Sequence, residues 1–460
     1  MLRTVNAQAT LWESILPEPL LGMPAELEAV DRLLDDPRFF EPYREFFDAT
    51  IGRPSIPIET YLRLMFLKYR YKLGFEPLCR EVADSISWQR FCRIPLGEST
   101  PHPTTLMKIT TRCGERAINE LNDALLVKAA EARVLKTNRV RADTTVVEAN
   151  VAYPVDSSLL AKGVARLAKL AGRARARGLA TRTPLRDRTR SVYRRARDVV
   201  NTLRQRGDER RVKVHRLNAE LAQIARASIN EARAVIRNAR RRVRALGDRA
   251  TGRQRAIIDD LATLSERLER VVAQTRQRVV EGVTPLGATR VVSLHDPDAR
   301  PIRKGRLGKP VEFGYKAQLV DNEDGVILDH NIECGNPPDA PMLAPAIERI
   351  TRRAGRVPRA VTADRGYGEQ AVEDALHAIG VRHVVLPRKG KPNAQRREIQ
   401  NRRGFRKMVR WRTGSEGRIS CAKRDFGLAR TRIDGLHGAR TWCGHGIFNH
   451  NLIKIAGLLE

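Results

Sequence analysis

Apolar positions recur at helical intervals along the first third of the chain. Leu27, Val30, Leu33 and Leu34 share one face of a helix of about 3.6 residues per turn. P-I-E-T-Y-L-R-L-M-F-L-K-Y-R then starts near Pro57, a residue suited to a first helical turn, and carries apolar groups on most of one face. F-E-P-L-C-R-E-V-A-D-S and S-W-Q-R-F-C-R-I follow as short helices. Pro101 and Pro103 interrupt the pattern, Thr104 or Thr105 caps the next start, and helix continues to about residue 132. Short, closely joined helices with Arg80, Arg90 and Arg93 among them suit either a helix-turn-helix-like module or an ordinary bundle with a basic face.

The period then changes. K-T-N-R-V-R-A-D-T-T-V-V-E-A-N-V is β-branched and alternating, and it predicts a strand over 139–147 with Asp143 inside it. A buried charge in a strand needs a partner or a metal. The neighbours on its own face, Arg141 and Thr145, are polar, so a water-facing aspartate fits the same pattern. Over 157–285, near-heptad leucines and isoleucines appear twice, at Leu217, Leu221 and Ile224 and again from Ile257 through Leu261, Leu264 and Leu268 to Val271. Gly247 and Gly252 separate the two runs, which predicts an antiparallel pair of long helices, with the R-A-R-A-R run near 173 and T-R-T-P-L-R-D-R-T-R as a flexible start.

Strand character returns near 288. A-T-R-V-V-S-L, V-E-F-G-Y-K-A-Q-L-V-D and G-V-I-L-D-H-N-I-E-C-G predict three strands, the last two joined by a hairpin at N-E-D-G. A helix follows over 342–354. In R-A-V-T-A-D-R-G-Y-G a short apolar run stops at Asp364, with Gly366 and Gly368 allowing a tight turn. Asp364 suits two roles, a working carboxylate at the end of a buried strand or a cap for the helix starting near Glu369. R-H-V-V-L-P gives one more strand, and K-G-K-P-N-A-Q-R-R-E-I-Q-N-R-R-G-F reads as a basic loop. W-R-T-G-S-E-G-R-I-S-C-A-K-R-D-F-G-L is helical, with Arg412, Glu416 and Lys423 spaced to share a face; a surface ion pair between Arg412 and Glu416 is the plainer alternative. The pattern as a whole is an α/β mixed sheet with flanking helices, interrupted by a long helical segment.

Charge narrows the function. The chain of 460 residues holds 85 Lys and Arg against 53 Asp and Glu, a net +32. Residues 157–285 alone hold 33 against 12. Such an excess suits a polyanion, because basic side chains displace the counterions condensed on nucleic acid. No apolar run approaches the roughly 20 residues of a membrane span, and the N-terminus lacks a secretory pattern, so the expected setting is a cytoplasm. The six cysteines include no C-x-x-C pair, which excludes a closely paired zinc site. Cys443 and His445 have no matching second pair, and the thiols are expected reduced and packed.

Asp143 on a first strand, Asp364 after a later one and Glu416 on a C-terminal helix form an ordered set of carboxylates, the hard-oxygen donors that phosphoryl transfer uses to hold Mg²⁺. On R-A-D-T-T-V-V-E-A-N, V-T-A-D-R-G-Y-G and R-T-G-S-E-G-R-I-S-C-A-K-R-D-F-G-L, the chain resembles the DDE-type insertion-sequence transposases of the bacterial IS-four/IS-five group. The family's C-terminal Tyr, Arg, Glu and Lys are matched by Arg412, Glu416 and Lys423, with Val409 at the tyrosine position. The resemblance implies an RNase H-like catalytic core, with Asp143, Asp364 and Glu416 as catalytic residues and metal ligands. It implies two Mg²⁺ ions, for which Mn²⁺ substitutes, and DNA contacts from Arg412 and Lys423. It further implies cutting at terminal inverted repeats and joining of 3′-hydroxyls to target DNA, in a bacterial cytoplasm at the nucleoid. The domains expected are a helical, DNA-binding N-terminal domain at 1–136, a first catalytic part at 137–156, the Arg-rich, coiled-coil-like insertion at 157–285 and the rest of the catalytic domain at 286–460. The insertion leaves open dimerisation or an intramolecular hairpin. A non-catalytic DNA-binding protein derived from a transposase is the alternative function.

Overall fold

The computed structural model describes residues 1–3, 15, 17, 22–152, 155–206, 209–303 and 310–460. Most of the N-terminal stretch read for a leader lies outside them. The chain divides into two compact units, Met1–Ala149 with Tyr315–Glu460, and Asn150–Gly314.

The first unit begins with helices α1 (Ala25–Leu34), α2 (Glu41–Arg44), α3 (Ile58–Arg70), α4 (Phe75–Ala83), α5 (Ile86–Phe91) and α6 (Pro103–Glu131). Leu27, Val30, Leu33 and Leu34 are all buried, as their spacing required. α3 is buried along nearly its whole length. Its Arg63 is fully enclosed and ion-paired at 2.6 Å to both Asp31 and Asp35. Arg93 reaches the same two aspartates, so this arginine is used inside the fold. Ser85 caps α5 by accepting the Trp88 N–H.

α6 changes direction at Gly114, whose φ of +55° is one that L side chains rarely adopt. His437 occupies the space a Cβ would need there. Gly114→Ala is therefore expected to destabilise the fold by roughly 2 kcal/mol, read as a lowered denaturation midpoint. The chain then enters β1 (Arg139–Glu148).

The second unit has its own apolar core. Its helices are α7 (Asp156–Ala176), α8 (Thr189–Leu203), α9 (Glu209–Leu246) and α10 (Gly252–Val280), followed by β2 (Arg300–Arg303). Four helices replace the expected two. The R-A-R-A-R run continues α7 instead of forming a flexible start, because Leu167, Leu170, Ala171 and Ala174 bury one face. In the following segment Arg188 is tied to Glu231 at 2.6 and 2.8 Å. The break between α9 and α10 falls at Gly247, and Thr251 with Gln254 forms a capping box. The strand expected near 288–294 is irregular chain. Val291, Val292 and Leu294 are buried, but the Val291 N–H donates to the Gln274 side chain (3.0 Å) rather than to a strand.

The chain returns through β3 (Val311–Asn322), β4 (Ile327–Cys334), α11 (Leu343–Ala354), β5 (Ala360–Ala363), α12 (Gln370–Ile379), β6 (His383–Val385), α13 (Ala394–Asn401), α14 (Arg403–Arg412), α15 (Gly414–Asp425) and α16 (Gly435–Leu459). In the first unit the sheet order is β4–β3–β1–β5–β6. β3 and β4 are antiparallel, while β5 and β6 run parallel to β1 and to each other, which places helices across the connections. The basic stretch expected as a loop is helical. Asn393 caps α13, and Arg396 pairs with the buried Glu373. α16 is embedded. Its Phe448, Leu452 and Ile455 join the core shared with α1 and α6, and Asn451 satisfies both backbone groups of Ile327. All six cysteines are free, and among the described residues no helix is long and apolar enough to cross a membrane.

Candidate active site

β5 is four residues, Ala-Val-Thr-Ala, and every one is buried. It pairs in parallel with β1 in a register that ends on Ala142 opposite Ala363. The next residue in sequence after each is an aspartate. Asp143 continues β1 and Asp364 directly follows β5, so the two carboxylates stand one residue beyond the last pair of adjoining parallel strands, which lie about 4.8 Å apart. Asp364 Oδ1 accepts the Gly366 N–H (2.8 Å) and caps the short turn Arg365–Tyr367, not α12. Asp143 Oδ1 accepts the Thr144 N–H (2.8 Å), and its Oδ2 faces Arg412 Nη1 at 3.4 Å. Arg141 and Thr145, the polar neighbours that suggested a water-facing strand, are both buried.

A third carboxylate stands beside Asp364. Asp339, ion-paired to Lys316 at 2.6 Å, lies across Gly366 from Asp364. A Cβ at 366 would stand 2.9 Å from Asp339 Oδ2 and 3.0 Å from Asp364 Oδ1, so only glycine leaves both carboxylates where they are. Tyr367 is fully buried beside them and accepts a hydrogen bond from Gln318 Nε2 (3.0 Å). Burial pushes its phenol well above the usual range, and the charges of Asp339, Asp364 and Asp143 add to that. Nothing in the sequence pattern singled out Asp339. It follows a Pro-Pro pair in E-C-G-N-P-P-D, and only the fold returns that corner to Gly366.

The remaining expected residues stand on α14 and α15. Arg412 ends α14 and Glu416 lies in the first turn of α15, so Arg412, Glu416 and Lys423 do not share one continuous helix. The corner between the two helices is fixed to β1. Arg141 donates to the Trp411 carbonyl (2.8 Å), stacks over the Trp411 ring and abuts Gly414. The same Arg141 pairs with the buried Asp321 of β3 (2.7 Å), and Arg418 of α15 approaches that carboxylate at 3.6 Å. Glu416 is exposed, and Lys423 lies seven residues further along α15. The fold therefore joins Asp143 with Asp364 and places Arg412 against Asp143. Glu416 belongs to the neighbouring helix, and among the described residues no three His, Cys, Asp or Glu side chains stand close enough to hold a metal between them. The donor chemistry still suits a hard divalent cation, since the adjoining groups are carboxylates and the cation now facing Asp143 is a guanidinium.

Residues 18–112 match the family described as Transposase domain (DUF772), and residues 288–452 match the Transposase DDE domain. A Rhizobium meliloti protein described as uncharacterized protein ORF8 in the nfe locus is 28% identical over 137 residues, covering 29% of this chain and 66% of that protein. The match thus spans just under two thirds of that relative's own length. No solved structure matches the chain. The fold is an RNase H-like mixed sheet with an all-helical N-terminal region, the architecture of a polynucleotide-processing core. The chain belongs to the DDE-type insertion-sequence transposases.

Proposed function

We propose that the protein is a metal-dependent DNA transposase that cuts at the ends of its element and joins the freed 3′-hydroxyls to target DNA. The observation that carries this is the register of β1 and β5, which sets Asp143 beside Asp364. Asp143, Asp364 and Glu416 would hold divalent ions, two Mg²⁺ or in their place Mn²⁺. When bound, such ions activate an attacking oxygen and stabilise a leaving one. Asp143 and Asp364 each accept a neighbouring backbone N–H on Oδ1, from Thr144 and Gly366, which sets their orientation, and Arg412 faces Oδ2 of Asp143. Arg412 faces Asp143 until DNA offers its guanidinium a phosphate, and Lys423, on the neighbouring helix α15, would take a further phosphate. The domain division proposed is the N-terminal helical region for DNA binding, the α/β core for chemistry and the Arg-rich insertion for additional contact with the duplex, with a homodimer as one form of assembly.

Cleavage of DNA carrying the repeats that flank the gene, tested in Mg²⁺, decides the matter. Cutting at the repeat ends supports the transposase. Tight binding without cutting in either Mg²⁺ or Mn²⁺ supports instead the non-catalytic DNA-binding protein. The insertion makes a separate prediction. Removing residues 160–283 deletes most of the chain's excess positive charge, so non-specific binding should weaken and the slope of log affinity against log salt should become shallower. An unchanged slope would show that the insertion does not touch phosphates.

A further inference from the structure

Away from the carboxylates, a cavity of about 710 Å³ opens between the end of α3, the start of α6 and the segment joining α15 to α16. Its inner end is Lys68. This residue is 4% exposed, and its Nζ lies 4.3 to 4.8 Å from the ring centroids of Tyr69, Phe75 and Trp442. No ion pair or side-chain hydrogen bond joins Lys68 among the described residues. Other cations at the cavity are already matched, Lys72 and Arg424 by Asp425 at 3.4 and 3.0 Å and Arg430 by Glu148 at 3.0 Å. Arg432 at the mouth has no such partner among the described residues, and one carboxylate, Asp434, lines the mouth beside it. Burial, with Arg432 adding to it, lowers the Lys68 amine to about 8. Ring faces attract a cation but supply no hydrogen-bond acceptor as strong as an anion. A buried ammonium facing open space, next to a second unmatched cation, is the arrangement an anion completes.

We propose that this cavity binds a nucleotide phosphate, held between Lys68 and Arg432, with the attached sugar and base against Phe75, Met107 and Trp442. Volume and walls favour a nucleotide over a bare phosphate ion, because the space far exceeds one phosphate and its lining is largely apolar and aromatic. The same chemistry is offered by a free mononucleotide or by the 5′-phosphate end of a DNA strand. This extends the proposed function without requiring cleavage, since the test reads binding alone.

The full-length protein is treated at pH 8 with an amine-acylating reagent, and the rate at Lys68 is followed by mass spectrometry. The additions are a mononucleotide, a 5′-phosphorylated oligonucleotide or inorganic phosphate. Acylation of Lys68 should slow about tenfold at saturation by a nucleotide, the change expected when a charge-assisted hydrogen bond occupies the amine. Protection by the oligonucleotide alone assigns a strand end; protection by the mononucleotide as well assigns a site complete for one nucleotide. Lack of protection by either, or equal protection by inorganic phosphate, overturns the proposal. Lys68→Met keeps the length of the side chain without its charge, and should fold with an unchanged or raised melting temperature, because an apolar replacement suits the aromatic surround. Its nucleotide affinity should fall about tenfold; an unchanged affinity also overturns the proposal.

Discussion

Asp364→Asn should abolish strand cleavage while leaving DNA binding near the wild-type level. The substitution keeps the size of the side chain and an oxygen able to accept the Gly366 N–H, so the turn Arg365–Tyr367 and the buried strand before it should persist. It removes the negative charge beside Asp143 that a divalent ion requires. Metal stabilisation of transition-state charge is worth several kcal/mol. A loss of about 4 kcal/mol corresponds to about a thousandfold in rate. Asp143→Asn should do the same. Glu416→Gln, on the exposed first turn of α15, tests whether that helix supplies the third carboxylate. The measurements are cleavage of repeat-end DNA in Mg²⁺ and an equilibrium binding assay on the same DNA. Near-normal cleavage by any one variant removes that residue from the proposed set.

The second large effect is expected at a residue that touches no substrate. Asp321 is buried on β3 and accepts from Arg141 of β1, while Arg418 of α15 approaches its Oδ2. Burial raises the Asp321 carboxyl above its usual range, and the two guanidiniums oppose that rise. Asp321→Ala would leave Arg141 enclosed without a counter-charge. Breaking one side of a buried pair costs about 3–5 kcal/mol. Arg141 also holds the Trp411 carbonyl and the start of α15, so loss of its partner should loosen the helix carrying Glu416 from the strand carrying Asp143. Two outcomes are expected together: a lower denaturant midpoint and, at a temperature where the variant remains folded, slower cleavage with little change in DNA affinity. A variant with unchanged stability would show that Asp321 is not the anchor the geometry makes it.

Local pattern determined much of this protein. Helical spacing at Leu27, Val30, Leu33 and Leu34, alternation around Asp143 and the abrupt stop of an apolar run at Asp364 each depend on residues a few positions apart, and neighbours in sequence suffice to read them. The same holds for the ordered set of carboxylates and for the charge, which together implied nucleic acid and phosphoryl transfer. Basic composition misled where burial decided. The stretch around Arg396 looked like loop but packs as helix because Glu373 holds that arginine, and the R-A-R-A-R run is helix because alternate turns bury leucine and alanine. Only the tertiary structure set Ala142 opposite Ala363 and so brought Asp143 to Asp364, more than two hundred residues away in sequence. It alone returned Asp339 to Gly366, turned Arg412 onto Asp143 and enclosed Lys68 among three rings. Those contacts join elements far apart in the chain, and strand register and helix docking depend on the packing of whole faces that no local window contains.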